Sequence, residues 1–174
     1  KCRIRDPWWR VPLGTAPDFF VSYMSGSTPR IVENAARILN LNSVHGLRVL
    51  PGLCRLARLG LPVMAMSSAS LLSAELVGRT YGGGILKLEP REASDWLVPS
   101  PDLMKRIATD HADLLKKGRR FLNAGDVEAC TAVADEILVS SGGRAVSGDV
   151  LRILGETRLG MVKRRIMRAS SKAS

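Results

Sequence analysis

Three consecutive glycines, at positions 82–84, most constrain the fold of this chain. Residues 71–80 before them have the composition of a helix that ends at Gly78, and residues 85–88 after them begin an apolar strand. The local order is therefore helix, glycine turn, strand. Because glycine has no side chain, such a turn lets the backbone approach another molecule closely. These residues favour a contact loop that leads into a strand, and a purely structural turn is the alternative.

The first hundred residues mix the periodicities of helices and strands. Residues 44–50 and 84–88 are predicted as strands, and residues 35–39 and 63–77 as helices. A Pro-Ser-Pro-Asp stretch interrupts this pattern, and its Asp102 is placed to cap a helix that follows. The sequence predicts an α+β fold, with a small mixed α/β domain at 1–100 and a helical, basic appendage at 101–174.

Residues 101–174 carry apolar side chains at helical spacing in three successive segments. The first extends to about residue 122, the second covers residues 127–138 and ends at Gly142-Gly143, and the third begins near Ser147, a residue type that caps helices. We expect three helices that pack antiparallel. The buried stripe predicted for the third helix consists of Leu151, Leu154, Leu159, Val162 and Ile166.

The formal net charge of +10 comes from 26 lysine and arginine residues against 16 acidic ones. A basic surface of this size favours polyanions, through phosphate contact and counterion release. Residues 1–100 hold 12 basic and 7 acidic side chains and residues 101–174 hold 14 and 9, so each part has a balance of +5. The shorter, helical part is thus the more densely basic. Charge alone does not distinguish DNA, RNA and acidic lipid.

Other features of the sequence exclude several classes of protein. Cys2, Cys54 and Cys130 are widely dispersed, which indicates a reducing compartment, and neither histidine has a second metal ligand at a suitable spacing. The most apolar segment, residues 61–72, contains serines and is shorter than the ~20 apolar residues of a membrane span. We therefore expect a cytoplasmic protein that contacts no membrane and has neither a metal site nor disulfide bonds.

Side chains on both sides of the glycine turn form the first candidate binding cluster. Arg79 can bind a phosphate or the O6 and N7 atoms of guanine, and Tyr81 adjoins glycine amides that can donate to a phosphate. On a strand, Lys87 would face away from its apolar neighbours, towards solvent or nucleic acid. The candidate residues of this cluster are Arg79, Tyr81, Gly82, Gly83, Gly84 and Lys87.

A second candidate cluster consists of Asn42, Ser43 and His45, at the start of a predicted strand. Their amide, hydroxyl and imidazole groups can donate to and accept from base edges in the major groove of DNA. Asn40 and Asn42 can equally shape a turn by bonding their own backbone. The residues alone favour the turn.

A third candidate cluster lies near the C-terminus. Arg164, Arg165 and Arg168 fall in a stretch without acidic residues, and Arg164 and Arg168 are four positions apart, on one face of a helix. A phosphate-binding face is one interpretation. The other is a solvated basic helix end, which the helix dipole favours.

An ordered set of short motifs resembles one family of enzymes. In chain order they are Pro-Trp-Trp-Arg-Val-Pro at 7–12, Pro-Asp-Phe-Phe at 17–20, Tyr-Met-Ser at 23–25, Pro-Arg at 29–30, Asn-Ser-Val-His-Gly at 42–46, the stretch at 81–90 and Leu-Val-Pro at 97–99. Each motif is weak alone. Together they cover the first hundred residues and resemble the target-recognition region of N6-adenine-specific DNA methyltransferases of restriction-modification systems.

This resemblance implies a DNA-binding clamp that faces a catalytic domain across a cleft. It implies base or backbone contacts from Asn42, Ser43 and His45, and phosphate contacts from Arg30, Lys87 and the basic helices. The motifs that bind S-adenosylmethionine and hold a flipped adenine are missing, since there is no Pro-Pro pair and the glycine cluster follows a helix. We therefore expect no catalytic residue and no cofactor on this chain. S-adenosylmethionine would belong to a longer parent enzyme, whose catalytic domain acts in cis or in trans.

Two rival functions fit some of the same features. A nuclease needs carboxylates near a lysine, but the residue two before Lys87 is Ile85, which argues against cleavage. A basic RNA-binding or scaffold protein fits the charge, although RNA modules usually expose stacking aromatic side chains on a sheet, and the aromatic residues here cluster early. A preference for duplex DNA over structured RNA would separate these functions.

Overall fold

The computed structural model describes residues 14–143 and 146–170, together with Asp6, Pro7 and Trp9. Within these residues the chain forms seven α-helices and two three-stranded antiparallel sheets, in the order four strands, two helices, two strands and five helices. The predicted α+β class is confirmed. Most of the motif at 7–12, and Cys2, lie outside the described residues.

Each sheet buries one row of alternating side chains. The strands are β1 (Phe19–Ser22), β2 (Met24–Ser25), β3 (Ile31–Glu33), β4 (Val44–Leu47), β5 (Arg79–Tyr81) and β6 (Ile85–Lys87). Strand β1 lies between β3 and β4 in one sheet, and β6 lies between β2 and β5 in the other. Phe19 and Val21 are buried on β1 and Leu86 is buried on β6, as the two-residue period of a strand requires.

The helices begin and end largely at capping residues. They are α1 (Cys54–Met64), α2 (Ser68–Val77), α3 (Pro90–Ser94), α4 (Pro101–Asp110), α5 (Ala112–Ala124), α6 (Val127–Ser141) and α7 (Gly148–Ser170). Helix α2 ends at Gly78 and α6 at Gly142, as predicted. The predicted cap Ser147 accepts a hydrogen bond from the N–H of Val150 (3.3 Å).

Two segments predicted as single helices are each divided. Residues 63–77 contain the end of α1, a break and α2, whose N-cap Ser67 accepts a hydrogen bond from the N–H of Ser70 (3.3 Å). The segment predicted to extend to about residue 122 comprises α4 and α5, which meet at His111. Helix α4 is capped by Ser100 rather than by Asp102. Apolar spacing missed these breaks because it continues on both sides of each.

The helix predicted at residues 35–39 is wrong. Buried Asn34 donates through its amide to the carbonyls of Pro17 (2.9 Å) and Ile38 (2.8 Å), and its side-chain oxygen accepts from the N–H of Ile38 (3.0 Å). Asparagine here satisfies backbone groups with its side chain and so holds a turn in place of a helix. The neighbouring strand is also shorter than predicted, since it ends at Leu47.

One hydrophobic core contains residues from both sides of the boundary proposed near residue 100. Helices α1 and α2 lie at its centre, and β1, α4 and α6 pack on them. The helical segment therefore packs directly on the α+β part. Fully buried core residues include Phe19, Val63, Met64, Met66, Leu71, Ile107 and Ile137.

Helices α1 and α2 are also the most apolar pair. Among the described residues, no single helix is long and apolar enough to cross a membrane. This pair, bent by 79° at its break, reaches that threshold by length and composition. Both helices contribute fully buried residues to the core.

Helix α7 packs mainly on α2, but its buried side differs from the predicted stripe. Leu151 is buried, whereas Leu159 and Ile166 are 53% and 46% exposed. Arg165, which is 4% exposed, occupies a buried position instead. Because a helix repeats after about seven residues, Leu151, Arg158 and Arg165 share one side of α7.

An ion pair between Arg165 and Glu75 joins α7 to α2 inside the protein. Arg165 Nη2 lies 3.0 Å from Glu75 Oε1 and its Nε lies 3.3 Å from Oε2, and both side chains are 3% exposed. Arg165 also donates to the backbone carbonyls of Gly84, Gly26 and Ser27. Burial of charge is tolerated when the charges are paired and hydrogen-bonded in this way.

We expect this pair to show strong energetic coupling. Glu75→Leu and Arg165→Met should each lower the free energy of unfolding by about 3–5 kcal/mol, because each variant leaves one partner of the pair buried alone. The double variant should lose less than the sum of the two losses, because neither partner remains. Chemical denaturation of the four proteins measures this cycle.

The pair of Arg152 and Glu156 on the same helix provides a matched control, since its atoms are 2.8 Å apart and both side chains are more than half exposed. Glu156→Gln should lower the free energy of unfolding by no more than about 1 kcal/mol. Additive losses at Glu75 and Arg165 would contradict the coupling.

Candidate nucleic-acid interface

The hairpin of β5 and β6 presents two different faces. Arg79 is paired with Lys87 and Thr80 with Leu86 in the antiparallel register. Since side chains alternate along a strand, Arg79, Tyr81 and Lys87 lie on one face and Thr80 and Leu86 on the other. Leu86 is 2% exposed, whereas Tyr81 is 55% exposed. The hairpin therefore has an outward polar face and a face that turns towards α7.

Lys87 lies between two tyrosine rings on the outward face. Its Nζ is 5.2 Å from the ring centroids of both Tyr23 and Tyr81, and 2.7 Å from Oε1 of Glu89. The Tyr23 hydroxyl donates to the same Glu89 oxygen (3.3 Å). The hydrogen bond between Lys87 and Glu89 raises the pKa of Lys87 and lowers the pKa of Glu89. Both groups are thus charged at neutral pH, and the ammonium holds the rings by cation–π attraction.

This geometry limits direct contact between Lys87 and a ligand. Only 20% of the Lys87 side chain is exposed, compared with 71% for Arg79. Arg79 Nε donates to Oε1 of Glu92 in α3, and Glu92 in turn accepts the N–H of Glu89 (2.9 Å). Arg79 is therefore anchored through Nε while much of its side chain remains exposed to a ligand.

His45 connects the two sheets. Its Nε2 is 2.6 Å from the carbonyl oxygen of Leu88, and because a carbonyl only accepts, Nε2 carries the proton. The edge of the ring also packs on Tyr23, with centroids 5.1 Å apart and an angle of 75°. These contacts leave Nδ1 for a ligand and make His45 chiefly a link between the sheets.

A groove of about 670 Å³ lies beside His45. Asn42 and Ser43 are exposed in the turn that precedes β4. Asn40 donates to the carbonyl of Val44 (3.0 Å), so it takes the turn-shaping role considered for both asparagines. The polar side chains that line the groove include Asn40, Asn42, His45, Glu89 and Ser94.

Comparison with known proteins identifies the family. The model of the C-terminal domain of the Type II methyltransferase M.Eco57I matches residues 1–139. The chain belongs to this family. The Type II methyltransferase M.XamI of Xanthomonas campestris pv. amaranthicola is 30% identical over 96 residues, which cover 55% of this chain and 18% of that protein. No solved structure matches the chain.

The resemblance to a methyltransferase C-terminal region is thus confirmed, and specificity for adenine stays a prediction. The chain spans 18% of the length of M.XamI. The family match ends at residue 139, within α6 and before α7 begins. Helix α7, which holds the buried Arg165, is therefore an element outside the matched span.

The three glycines of this M.Eco57I-type C-terminal domain differ in their surroundings. Gly84 is buried at φ +72°, and a Cβ there would lie 3.1 Å from Cα of Ile166 and 3.2 Å from the carbonyl oxygen of Arg165. Gly84 thus allows the turn to pack against α7. Gly82 and Gly83 are exposed, with no atom within 4 Å of an added Cβ. The structural interpretation applies to Gly84, and Gly82 and Gly83 are available for contact.

The candidate cluster on α7 is divided in the same way. Arg164 and Arg168 are exposed, as a surface face requires. Arg165 is not on that face, because its guanidinium is buried in bonds to Glu75 and to backbone carbonyls. The expected phosphate contact by Arg165 is therefore corrected to a structural role.

Arg30 does not join the hairpin cluster. It lines a separate cavity of about 290 Å³, together with Glu33 and Arg119. Two residues that sequence reasoning did not select, Tyr23 and Glu89, are central to the hairpin face instead. The alternation of Lys87 and Glu89 was a usable signal for one of them, but the approach of Tyr23 depends on a pairing between distant strands.

No metal centre is found in the described part of the chain, where no three histidine, cysteine or acidic side chains are grouped to hold an ion. Cys130 is a buried free thiol, and burial raises its pKa to about 11. A thiol in that state is protonated at neutral pH and is a poor nucleophile or ligand.

We expect substitutions at Gly82 and Gly84 to have opposite consequences for stability. Gly84→Ala should lower the free energy of unfolding by about 1–3 kcal/mol, because alanine is strained at positive φ and its methyl group would press on the α7 backbone. Gly82→Ala, as the matched control, should change it by no more than about 0.5 kcal/mol. Thermal or chemical denaturation measures both, and equal losses would contradict the division of the loop.

Proposed function

We propose that this chain is the DNA target-recognition region of an S-adenosylmethionine-dependent, N6-adenine-specific DNA methyltransferase. Membership of the M.Eco57I C-terminal family and the similarity to M.XamI support a methyltransferase role. The net charge of +10 supports a polyanionic ligand. The observation that carries the proposal is the hairpin face, where Arg79 and Tyr81 are exposed beside two accessible glycines.

The side chains of this face suit different parts of duplex DNA. The Arg79 guanidinium matches a phosphate or the O6 and N7 atoms of guanine, and the amides of Gly82 and Gly83 can donate to a phosphate. Tyr81, held by Lys87, offers a ring and a hydroxyl to a base edge or sugar. On this proposal the groove residues, Asn42, Ser43 and His45 through Nδ1, extend the contact surface towards β4.

Catalysis on this proposal belongs to another part of the parent protein, in cis or in trans. S-adenosylmethionine supplies the methyl group there. In the described residues, the glycine turn lies between two antiparallel strands and Gly84 is packed against α7, which does not fit the strand–turn–helix cradle of a cofactor-binding domain. Duplex DNA as the ligand and the dispersed cysteines make the cytoplasm the expected compartment.

The proposal is tested by the affinity of the chain for duplex DNA. Fluorescence anisotropy at several salt concentrations, with structured RNA as competitor, should show salt-dependent binding and a preference for the duplex. Equal or stronger binding of RNA would support the rival RNA-binding function. Absence of binding to either nucleic acid would count against an autonomous recognition region.

We expect Arg79→Gln and Tyr81→Ala each to weaken duplex binding by about 1–3 kcal/mol, because each removes an exposed contact group from the hairpin face. Arg106→Gln is the matched control, since Arg106 is an exposed arginine on α4, a helix that packs mainly on α1. Circular dichroism should show the same fold in all three variants. Equal affinity in the Arg79 and Arg106 variants would place the DNA contact elsewhere.

A further inference from the structure

A small cavity lies on the opposite side of the hairpin from Arg79. Its volume is about 130 Å³, and it is formed between β5 and α7. Thr80, on the inward face of β5, meets Arg164 and Arg168 at this cavity, and Leu86 and Met161 complete its apolar lining. Arg165 and Glu75, joined by their buried ion pair, also line it.

The charges around this cavity are unbalanced. Among the described residues that line it, Glu75 supplies the carboxylate, and both oxygens of that carboxylate accept hydrogen bonds from Arg165. Glu75 also interacts electrostatically with Arg158. Its negative charge is thus already opposed by two arginines. The exposed guanidinium groups of Arg164 and Arg168 add two further positive charges at the same cavity.

The donor groups at the cavity have the chemistry of a phosphate site. Arginine forks bind phosphate oxygens with paired N–H groups, and the hydroxyl of exposed Thr80 adds a neutral donor. Arg164 and Arg168, four residues apart on α7, lie on one side of the helix and can converge on one anion. Arg165 contributes indirectly, since its bonds to Gly84 and Glu75 fix the hairpin against α7.

We infer that this cavity binds one phosphate group of the nucleic-acid backbone, at the side of the recognition hairpin that faces α7. The inference rests on the proposed function and deepens it. The hairpin then has a base-facing side at Arg79 and Tyr81 and a phosphate-binding side at Arg164 and Arg168. Arg165 is a positioning residue that does not touch the phosphate. The arginines of this site lie beyond residue 139, where the family match ends.

The first test compares the salt dependence of duplex binding in two variants of the 174-residue chain. Arg164→Gln/Arg168→Gln should weaken binding of all duplex sequences about tenfold and reduce the slope of log affinity against log salt by about 1. Lys163→Gln is the control, since Lys163 is an exposed cation of the same helix that does not line the cavity. The same slope in the double variant and in Lys163→Gln would overturn the inference.

The second test identifies the phosphate. Duplexes that carry one neutral methylphosphonate linkage at successive positions should lose affinity for the wild-type chain at one particular linkage. The Arg164→Gln/Arg168→Gln variant should be insensitive at that linkage, and Lys163→Gln should remain sensitive. Sensitivity of the double variant at every linkage that affects the wild type would overturn the inference.

A third comparison separates the two sources of a phosphate group. If the cavity serves a free anion, titration with inorganic phosphate should saturate at Arg164 and Arg168, while duplex binding keeps its salt slope in the double variant. That pair of results would overturn the inference. A wild-type chain that binds no duplex would overturn the proposed function as well, whereas unchanged duplex binding in the variant removes the phosphate site alone.

Discussion

The buried ion pair of Arg165 and Glu75 is the interaction on which the arrangement of the hairpin depends. Arg165 joins three elements, because it pairs with α2, donates to Gly84 at the hairpin turn and reaches the carbonyls of the loop that follows β2. A buried pair adds little net stability compared with apolar packing, but it is strongly directional. Its effect here is to fix the register of α7 against the root of the hairpin, which a methionine or leucine at the same site would leave less defined.

A loop that reads another molecule needs a fixed root and an accessible tip, and the three glycines meet these needs in sequence order. Gly84 is clamped by α7 at the root, while Gly82 and Gly83 lie in open space at the tip. The ammonium of Lys87 then restrains Tyr81 from the other side by its contact with the ring and its bond to Glu89. On the proposed function, this fixed frame reduces the conformational entropy lost when the hairpin meets DNA.

Local signals predicted much of the fold, and distant pairings account for most of what they missed. The glycine turn, the ends of α2 and α6 and the cap of α7 depend on neighbouring residues, and each was predicted. The burial of Arg165 could not be predicted in this way, since its partner is 90 positions earlier in the chain. The sequence near residue 165 shows only a basic cluster, in which Arg164, Arg165 and Arg168 look equivalent.

The same limit applies to charge as evidence for a binding surface. Arg165 is neutralised inside the protein, and Arg58 and Arg119 face the carboxylate of Glu33, so a formal count of cations overstates the charge available to a ligand. Position on the hairpin and on α7 is more informative than number. Arg79 on one side of β5, and Arg164 and Arg168 on the other, surround an exposed turn, so that a single strand sets the distance between a base-reading side and a phosphate-binding side. On the proposed function, register along DNA is then determined by the rigidity of that strand, because a shift of either side would displace the other.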